Sequence, residues 1–333
     1  MHILVVGGGM GGTILANNLA RRLSGELEQG SSKITMLSAT DKHMYQPGLL
    51  YVAVGKMSTT ELYRDQKSLL EPSIDFHVDP VEKFDMDNNS VTTKSGKKIS
   101  YDILCIATGS RGNAAGIPGL AENACQFYTE ADALAMYKKL QKFEGGKVVV
   151  ATGVPHKCPM SPLEITFFLV DYFKKRGIWD KVDLHYTYPI GRVHSLEPVA
   201  NWAAPEFDKL GITYETLFNM KEVVPGKVIS EEDSSAEFDL LVTVPPHKGQ
   251  QVIEDNELGA GGFIPTDKKK LNMEGRENVF VLGDTTNLPI SKAGSTAHFE
   301  AEALGENIAA LVQQGEPVLS LIHISEPTRR RTI

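Results

Sequence analysis

The sequence has 333 residues, more than one compact core usually serves, which predicts two domains or one domain split by an insertion. It carries 34 basic and 42 acidic side chains, and the formal net charge of −8 argues against nucleic acid as a partner. With 41% hydrophobic and 23% charged residues, the composition excludes collagen-like, mucin-like and disordered chains. Three cysteines are too few for a disulfide framework and fit a reducing compartment or a redox site.

The two ends of the sequence carry separate indications. Met1 and His2 lead directly into an apolar strand, so we expect no signal peptide. Residues 319–329 resemble a translated transposase-type sequencing adapter. We therefore expect the native reading frame to be cut after Val318 and residues 319–333 to be a non-native tail.

The first chemical motif is a glycine-rich loop. The apolar residues 2–6 predict a buried strand, and Gly7, Gly9 and Gly12 follow at the glycine positions of a G-x-G-x-x-G pattern. Gly7 permits a tight turn, Gly9 lets the backbone approach a pyrophosphate, and Gly12 allows a helix that begins at about Met10 to pack on the strand. The pattern predicts dinucleotide binding, with a flexible loop as the alternative.

The second predicted strand, residues 34–37, ends at Ser38. NAD-binding domains carry an acidic residue there, which holds the ribose. A serine makes ordinary NAD binding at this loop less favourable. It leaves two alternatives, a weaker hydroxyl contact from Ser38 or a different ribose partner.

Two later strands end in motifs that resemble those of flavoproteins with two dinucleotide-binding domains. One strand runs into Ala107, Thr108 and Gly109, and another runs into Gly283 and Asp284. The resemblance implies FAD as the cofactor, with the Asp284 carboxylate accepting a hydrogen bond from a ribityl hydroxyl. An aspartate that caps the following helix is the alternative. The resemblance also implies that the FAD domain is assembled from both ends of the chain.

The middle of the sequence is similar to a second Rossmann unit that has lost its nucleotide loop. Residues 145–153 again read as a turn followed by a strand, but Pro155, Pro159 and Pro162 come next. Because prolines lack an N–H and fix φ, this segment has no cradle for a pyrophosphate, and NAD(P)H is not expected to bind. The apolar residues 164–176 predict a helix packed in the core.

Together these segments resemble the sulfide:quinone oxidoreductases and the related flavoprotein subunit of flavocytochrome c sulfide dehydrogenase, over residues 1–318. The segments that carry the resemblance are residues 34–55, 127–140, 157–159, 244–247 and 283–294. The resemblance implies an α/β fold with two Rossmann-like, three-layer domains of the disulfide-reductase type. Residues 1–113 and 250–318 would form a discontinuous FAD-binding domain, and residues 114–249 an inserted domain without a usable NAD loop.

The resemblance places the chemistry on Cys158. In the family the matching cysteine pairs with a second one from the C-terminal region, and sulfide attacks this disulfide to leave a persulfide and a thiolate that reduces the flavin. Lys157 and His156 are candidates for lowering the pKa of the Cys158 thiol. A buried structural cysteine is the alternative for Cys158, and it is the expectation for Cys105 in its strand.

Two departures from the family bear on this mechanism. Many members carry a cysteine where Tyr128 stands, and we expect Cys125 to be a loop thiol rather than its replacement. The second redox cysteine would lie beyond Val318. We therefore expect the chain as written to be inactive, unless Cys125 reaches Cys158.

Three further residues have candidate roles. Lys292 resembles the family lysine near the N1/C2=O edge of the flavin, where a cation stabilises the reduced ring, and a surface lysine is the alternative. Glu164 is a candidate for proton transfer to quinone, and a solvated glutamate at a helix start is an equal alternative. His298 is a third candidate near this site, with a packed or exposed helix-face histidine as the alternative.

The resemblance implies an FAD-dependent oxidoreductase that takes electrons from sulfide, or a related small sulfur compound, and passes them to a membrane quinone. The alternatives are a type II NADH:quinone dehydrogenase, a flavoprotein subunit that donates to a cytochrome c partner, and a flavin-binding protein without turnover. We expect the missing C-terminus to bind the membrane surface, which places the protein peripherally on the inner (cell) membrane, at its cytoplasmic face. A homo-oligomer is left open, and no metal site is expected.

Overall fold

The computed structural model describes residues 1–314, and the tail predicted for residues 319–333 lies outside them. The chain forms two compact units. Unit 1 contains Met1–Met44, Arg64–Arg111 and the described residues from Lys248 onward, and unit 2 contains Tyr45–Tyr63 and Gly112–His247. Both units hold a parallel sheet with helices, which confirms the predicted α/β fold class.

Residues 1–314 form helices and strands that are numbered separately in chain order. The helices are α1 (Met10–Arg22), α2 (Ser24–Glu28), α3 (Gly48–Ala53), α4 (Leu120–Asn123), α5 (Glu130–Lys142), α6 (Ser161–Lys175), α7 (Glu197–Leu210), α8 (Gln251–Asp255) and α9 (Gly294–Gln314). The strands are β1 (His2–Val6), β2 (Lys33–Ser38), β3 (Lys42–Met44), β4 (Tyr63–Asp65), β5 (Asp75–Val78), β6 (Val81–Asp85), β7 (Ser90–Thr93), β8 (Lys98–Ser100), β9 (Ile103–Ile106), β10 (Ser110–Gly112), β11 (Ala124–Cys125), β12 (Gly146–Thr152), β13 (Val182–Tyr188), β14 (Thr213–Thr216), β15 (Met220–Val224), β16 (Lys227–Ser230), β17 (Ser235–Glu237), β18 (Leu240–Val244), β19 (His247–Gly249) and β20 (Val279–Val281). Across residues 1–314, none of the helices combines the length and apolar character that crossing a bilayer requires.

Unit 1 is a three-layer arrangement around a parallel sheet of order β20-β9-β1-β2-β5. Strand β20 pairs with β9, so the sheet takes strands from both ends of the described chain. Because β1 is covered on both faces, it reads as a continuous apolar run. Ile3 and Val5 pack with α1 and α9, whereas Leu4 and Val6 pack with the antiparallel sheet β6-β7-β8.

Unit 2 has a parallel sheet of order β11-β18-β12-β13-β14. The antiparallel sheet β15-β16-β17 and α4 share a core with β12. Helix α6 begins at Ser161, three residues earlier than the predicted start at Glu164. This difference follows from Pro162, which the first turn of a helix tolerates because its missing N–H has no intrahelical partner there.

The sequence-based boundaries assign residues 45–63 to the FAD-binding domain, whereas the structure groups them with unit 2. Helix α3, which lies in this segment, packs on α5 and α6. At Gly55 a Cβ would stand 2.3 Å from the Tyr137 ring, so the two elements are in close contact. This packing is the physical reason for the difference.

Candidate functional site

The glycine-rich loop of unit 1 has two glycines enclosed by backbone and one facing open space. A Cβ on Gly7, where φ is +120°, would lie 2.3 Å from the Ala107 carbonyl oxygen, and one on Gly12 would lie 2.0 Å from the Gly7 carbonyl oxygen. At Gly9 no atom lies within 4 Å of that position. Helix α1 begins at Met10, as predicted. The loop therefore presents a helix N-terminus to an open space, which is the geometry that suits a pyrophosphate.

Ser38 lies at the end of β2 and is buried. Its Oγ would be 2.4 Å from a Cβ on Gly8, so the two residues are in contact. Gln66, which is fully buried, donates from Nε2 to Thr13 Oγ1 at 2.9 Å, and its Oε1 lies 3.1 Å from His43 Nδ1. Neither residue was predicted from the sequence, because the contact joins positions 23 residues apart and no local pattern indicates it.

The motifs that end β9 and β20 are in direct contact, although they are 174 residues apart. Ser110 Oγ donates to Asp284 Oδ2 at 2.9 Å, and the Gly109 N–H donates to Thr285 Oγ1 at 2.7 Å, beside Thr108. Asp284 is buried in a single 3-10 turn, well before α9 begins, so it does not cap that helix. A buried carboxylate next to the glycine-rich strand ends fits the predicted contact with a ribityl hydroxyl.

Lys292 is partly buried rather than a free surface lysine. Its ammonium donates to the Thr286 carbonyl oxygen and lies 4.9 Å from the centroid of the Phe263 ring. Burial lowers the pKa of Lys292, and the charges of Asp284 and Glu300 oppose this effect. The site therefore combines a partly buried cation with two acidic groups.

Glu300 is a site residue that the sequence analysis missed. It is 2% exposed, and its Oε2 accepts a hydrogen bond from the Gly283 N–H at 2.6 Å. Burial raises the pKa of Glu300 to about 7, although the Gly283 N–H and Lys292 act in the opposite direction. Helical periodicity was an available signal, since Glu300 lies among apolar residues on the buried face of α9. Those residues are Ala297, Ala301, Leu304 and Ile308.

Cys158 lies in unit 2, in the loop between β12 and α6, and is partly exposed. Its carbonyl oxygen accepts from the Ser161 N–H at 3.0 Å and from Ser161 Oγ at 2.9 Å. Burial raises the pKa of the Cys158 thiol, and the Glu164 carboxylate adds to this rise. The N–H groups of Ser161 and Met160 and the charge of Lys157 oppose it. The thiol therefore lies just before the N-terminus of α6, and burial is the largest influence on its pKa.

The expected effect of His156 on this thiol is wrong. Burial lowers the pKa of His156 to about 4, so the ring is neutral near pH 7 and supplies no positive charge. Its Nε2 lies 3.2 Å from the Tyr188 hydroxyl. Lys157 acts on Cys158 in the expected direction but is the smallest of the effects named, and its ammonium donates to Gln46 Oε1 at 2.7 Å.

The other two cysteines are buried in strands. Cys105 is fully buried in β9, as expected. Cys125 was expected to be a loop thiol, but it lies in β11, paired with Val242 of β18, because the chain adds an edge strand to the sheet there. Burial raises the pKa of both thiols, and all three cysteines are free. Cys158 is thus the thiol most open to a substrate.

Glu164 and His298 both lie on the exposed side of helices. Glu164 is in the first turn of α6, where partial burial raises its pKa, in the position that the helix-start alternative describes. His298 lies on α9, with Nε2 3.0 Å from Glu302 Oε1. The structure leaves the proton-transfer role of Glu164 as a prediction.

Comparison with known proteins now decides the family. The sequence profile of the pyridine nucleotide-disulphide oxidoreductases matches residues 1–304. The chain belongs to that family. It is 30% identical to the mitochondrial sulfide:quinone oxidoreductase of Dictyostelium discoideum, over 92% of this chain and 70% of the relative. The structure of the sulfide:quinone oxidoreductase from Aquifex aeolicus superposes with a TM-score of 0.82 at 25% identity, covering 94% of this chain and 77% of that one.

These findings confirm the resemblance, the fold class and the cofactor expected from the sequence. The chain is an FAD-dependent oxidoreductase. It is also similar to a type II NADH:quinone oxidoreductase from Staphylococcus saprophyticus, at 19% identity over 98% of this chain and 86% of the relative. The glycine-rich loop and the buried Asp284 in unit 1 are the features that would hold FAD.

Proposed function

We propose that this protein oxidises sulfide, or a related small sulfur compound, through Cys158 and FAD, and that a membrane quinone receives the electrons. The observation that carries the proposal is the position of Cys158. It is a partly exposed thiol at the N-terminus of α6, in the loop where a pyridine-nucleotide enzyme has its second glycine-rich cradle. The similarity to sulfide:quinone oxidoreductases supports the same conclusion.

Within unit 1, the residues that would hold FAD are the open loop at Gly9, the Gly109 turn and the Asp284 carboxylate. FAD supplies a two-electron acceptor and donor. Lys292 would place a positive charge beside the reduced cofactor, because its ammonium is held by the Thr286 carbonyl oxygen.

The sulfur step that we propose is thiol–disulfide exchange. Hydrosulfide attacks one sulfur of a disulfide that contains Cys158, the S–S bond breaks, and a persulfide and a thiolate result. Sulfide loses two electrons in this reaction. The persulfide then gives up its outer sulfur to a second hydrosulfide, and re-formation of the disulfide from the two cysteine sulfurs would deliver the two electrons to bound FAD. FAD would pass them to quinone, which takes up two protons to become the quinol. Cys105 and Cys125 are poorer targets for hydrosulfide than Cys158, since both are buried in strands.

Oxidation of NADH with quinone as the acceptor is the second candidate function, and the similarity to a type II NADH:quinone oxidoreductase favours it. The loop after β12 argues against it. Two residues after Gly153 stands Pro155, which offers no N–H, and a Cβ on Gly153 itself would be 2.5 Å from the Pro246 ring. A pyrophosphate therefore meets no open glycine in this loop, unlike Gly9 of unit 1.

We further propose a peripheral location at the cytoplasmic face of the cell membrane, where the quinone acceptor is dissolved. Glu164 would pass protons to the quinone, because it is an acid with a raised pKa near Cys158. A cytochrome c partner is the alternative acceptor. Assays with a short-chain quinone and with cytochrome c, each supplied alone, distinguish the two.

The test of the donor is anaerobic flavin bleaching in the FAD-loaded protein. In a protein that also carries the second redox cysteine, we expect sulfide to bleach the flavin and Cys158→Ser to abolish bleaching without loss of FAD. Micromolar NADH should bleach neither protein. Cys125→Ser is the matched control for a thiol outside the α6 loop. Rapid bleaching by NADH would transfer the assignment to the dehydrogenase class, and bleaching by sulfide in Cys158→Ser would remove Cys158 from the mechanism.

A further inference from the structure

Two hydroxyl groups lie beside the Cys158 loop of unit 2. The Tyr128 hydroxyl is 2.9 Å from the Lys157 carbonyl oxygen and 2.6 Å from Ser161 Oγ. Ser161 Oγ is in turn 2.9 Å from the Cys158 carbonyl oxygen. The two carbonyl groups on either side of the Cys158 α-carbon are therefore both in contact with this pair of hydroxyls.

The backbone that these contacts hold is unusual. Cys158 has a φ of +56°, a left-handed backbone conformation that residues other than glycine rarely adopt. Such a conformation persists only where the surrounding structure holds it, and it fixes the direction of the Cα–Cβ bond. Here the Ser161 N–H donates to the Cys158 carbonyl oxygen at 3.0 Å, so this left-handed residue is tied directly to the first residue of α6.

The Tyr128 ring is itself held by packing. Its centroid is 5.0 Å from that of Phe127 and 4.5 Å from that of His247, which meets it edge-on. The ring therefore has a fixed place from which its hydroxyl reaches the loop. Two hydroxyl protons can complete only two of these three contacts at one time, so the donor roles of Tyr128 and Ser161 depend on each other.

We propose that Tyr128 and Ser161 form a clamp that fixes the Cys158 thiol at the N-terminus of α6. Tyr128 is then a positioning residue, because it acts through the backbone of the loop and not on the substrate. The inference rests on the proposed function in assigning the sulfur chemistry to this thiol. Without the clamp the loop would relax, and the thiol would lose its fixed position at the start of α6.

The test is the pH profile of Cys158 alkylation by iodoacetamide in the full 333-residue chain, followed by peptide mass spectrometry. Because only the thiolate reacts, the profile reports how well the thiolate is stabilised. Tyr128→Phe should shift the profile to higher pH and slow the reaction at neutral pH about fivefold, the effect of one hydrogen bond. Tyr63→Phe is the matched control, since its hydroxyl donates to Glu130 Oε2 at 2.7 Å in the same unit and should leave the profile unchanged.

A second variant tests the connection between the two hydroxyls. Ser161→Ala should slow alkylation in the same direction, and the double variant should be no slower than the slower single variant, because both substitutions break one unit. The clamp would be overturned if the double variant slowed alkylation by the product of the two single-variant factors. A wild-type pH profile in Tyr128→Phe would overturn it as well. The buried Cys105 reports unfolding within the same samples, since it becomes reactive only if a variant loses its fold.

The alkylation assay requires neither sulfide nor quinone. An unchanged alkylation profile would refute the clamp while leaving the proposed function intact. Conversely, sulfide bleaching in Cys158→Ser would refute the role of that thiol while the alkylation profiles still reported on the clamp. The two failures are thus distinguishable.

Discussion

Alanine substitutions in the glycine-rich loop separate cofactor binding from folding. At Gly12 a methyl group would stand 2.0 Å from the Gly7 carbonyl oxygen, whereas ordinary contact begins at 3.4 Å. The shortfall is about 1.4 Å against backbone that β1 and α1 hold on both sides. We expect Gly12→Ala to lower the free energy of unfolding by about 1–3 kcal/mol, the usual cost of overpacking.

Gly9→Ala should behave differently. Gly9 has a φ of −76°, which alanine adopts without strain, and no atom lies within 4 Å of the added methyl group. Its cost to stability should therefore stay below about 1 kcal/mol, the difference between glycine and alanine at a helix N-cap. The methyl group would, however, occupy the space of the pyrophosphate, and the loss of one charge-assisted contact weakens FAD binding by about tenfold or more.

The assay measures urea unfolding without FAD, and FAD affinity by titration, in both variants. Gly25→Ala is the control, because Gly25 lies in α2 with no atom within 4 Å of an added Cβ. It should leave FAD affinity unchanged. Wild-type FAD affinity in Gly9→Ala would show that the pyrophosphate does not lie at this loop, and wild-type stability in Gly12→Ala would refute the packing argument.

Variants at three more positions test the remaining assignments. In a protein that also carries the second redox cysteine, Cys105→Ser should keep sulfide turnover per flavin, in contrast to Cys158→Ser, yet lower the free energy of unfolding by about 1–3 kcal/mol, because it buries an unpaired hydroxyl; loss of turnover at normal stability would contradict this. Because the pKa of Glu300 rises from 4.5 to about 7 on folding, the folded state binds its proton more tightly, and the stability of the FAD-free protein should fall by up to about 3 kcal/mol as pH rises through this window. Glu300→Gln should remove that slope in urea titrations across the same window, and an unchanged slope would exclude Glu300 as its source. Lys292→Met should lower the FAD reduction potential in a reductive titration, whereas Lys292→Arg should keep it near wild type; equal potentials in both would place the lysine away from the cofactor.

The parts of the fold that the sequence predicted are those where local pattern and packing agree. The start of α1 at Met10 follows from the glycine-rich loop after the first strand, and the burial of Cys105 follows from its strand. Glu300 was missed because an acidic residue on a helix is usually solvated, and its burial depends on the contact with Gly283, a neighbour in space that the sequence does not reveal.

The thiol site shows the same limit. The proline-rich segment predicted the loss of the nucleotide cradle, but not the left-handed backbone of Cys158 or the hydroxyl contacts that hold it. Tyr128 was noticed only as a departure from the family. Its function in the loop depends on a contact between elements about 30 residues apart, which no local pattern encodes.

The strand order of unit 1 has a consequence for synthesis of the chain. Strands of the unit 2 parallel sheet all lie between Ala124 and Val244, so that sheet can close before the ribosome has finished the chain. The unit 1 sheet must wait for Val279–Val281, because β20 forms the edge beside β9. Until then β9 has an unpaired edge, and its apolar residues, which are buried in the folded protein, promote aggregation. Chaperones that bind nascent chains would therefore meet this protein chiefly at the edge formed by Ile103–Ile106.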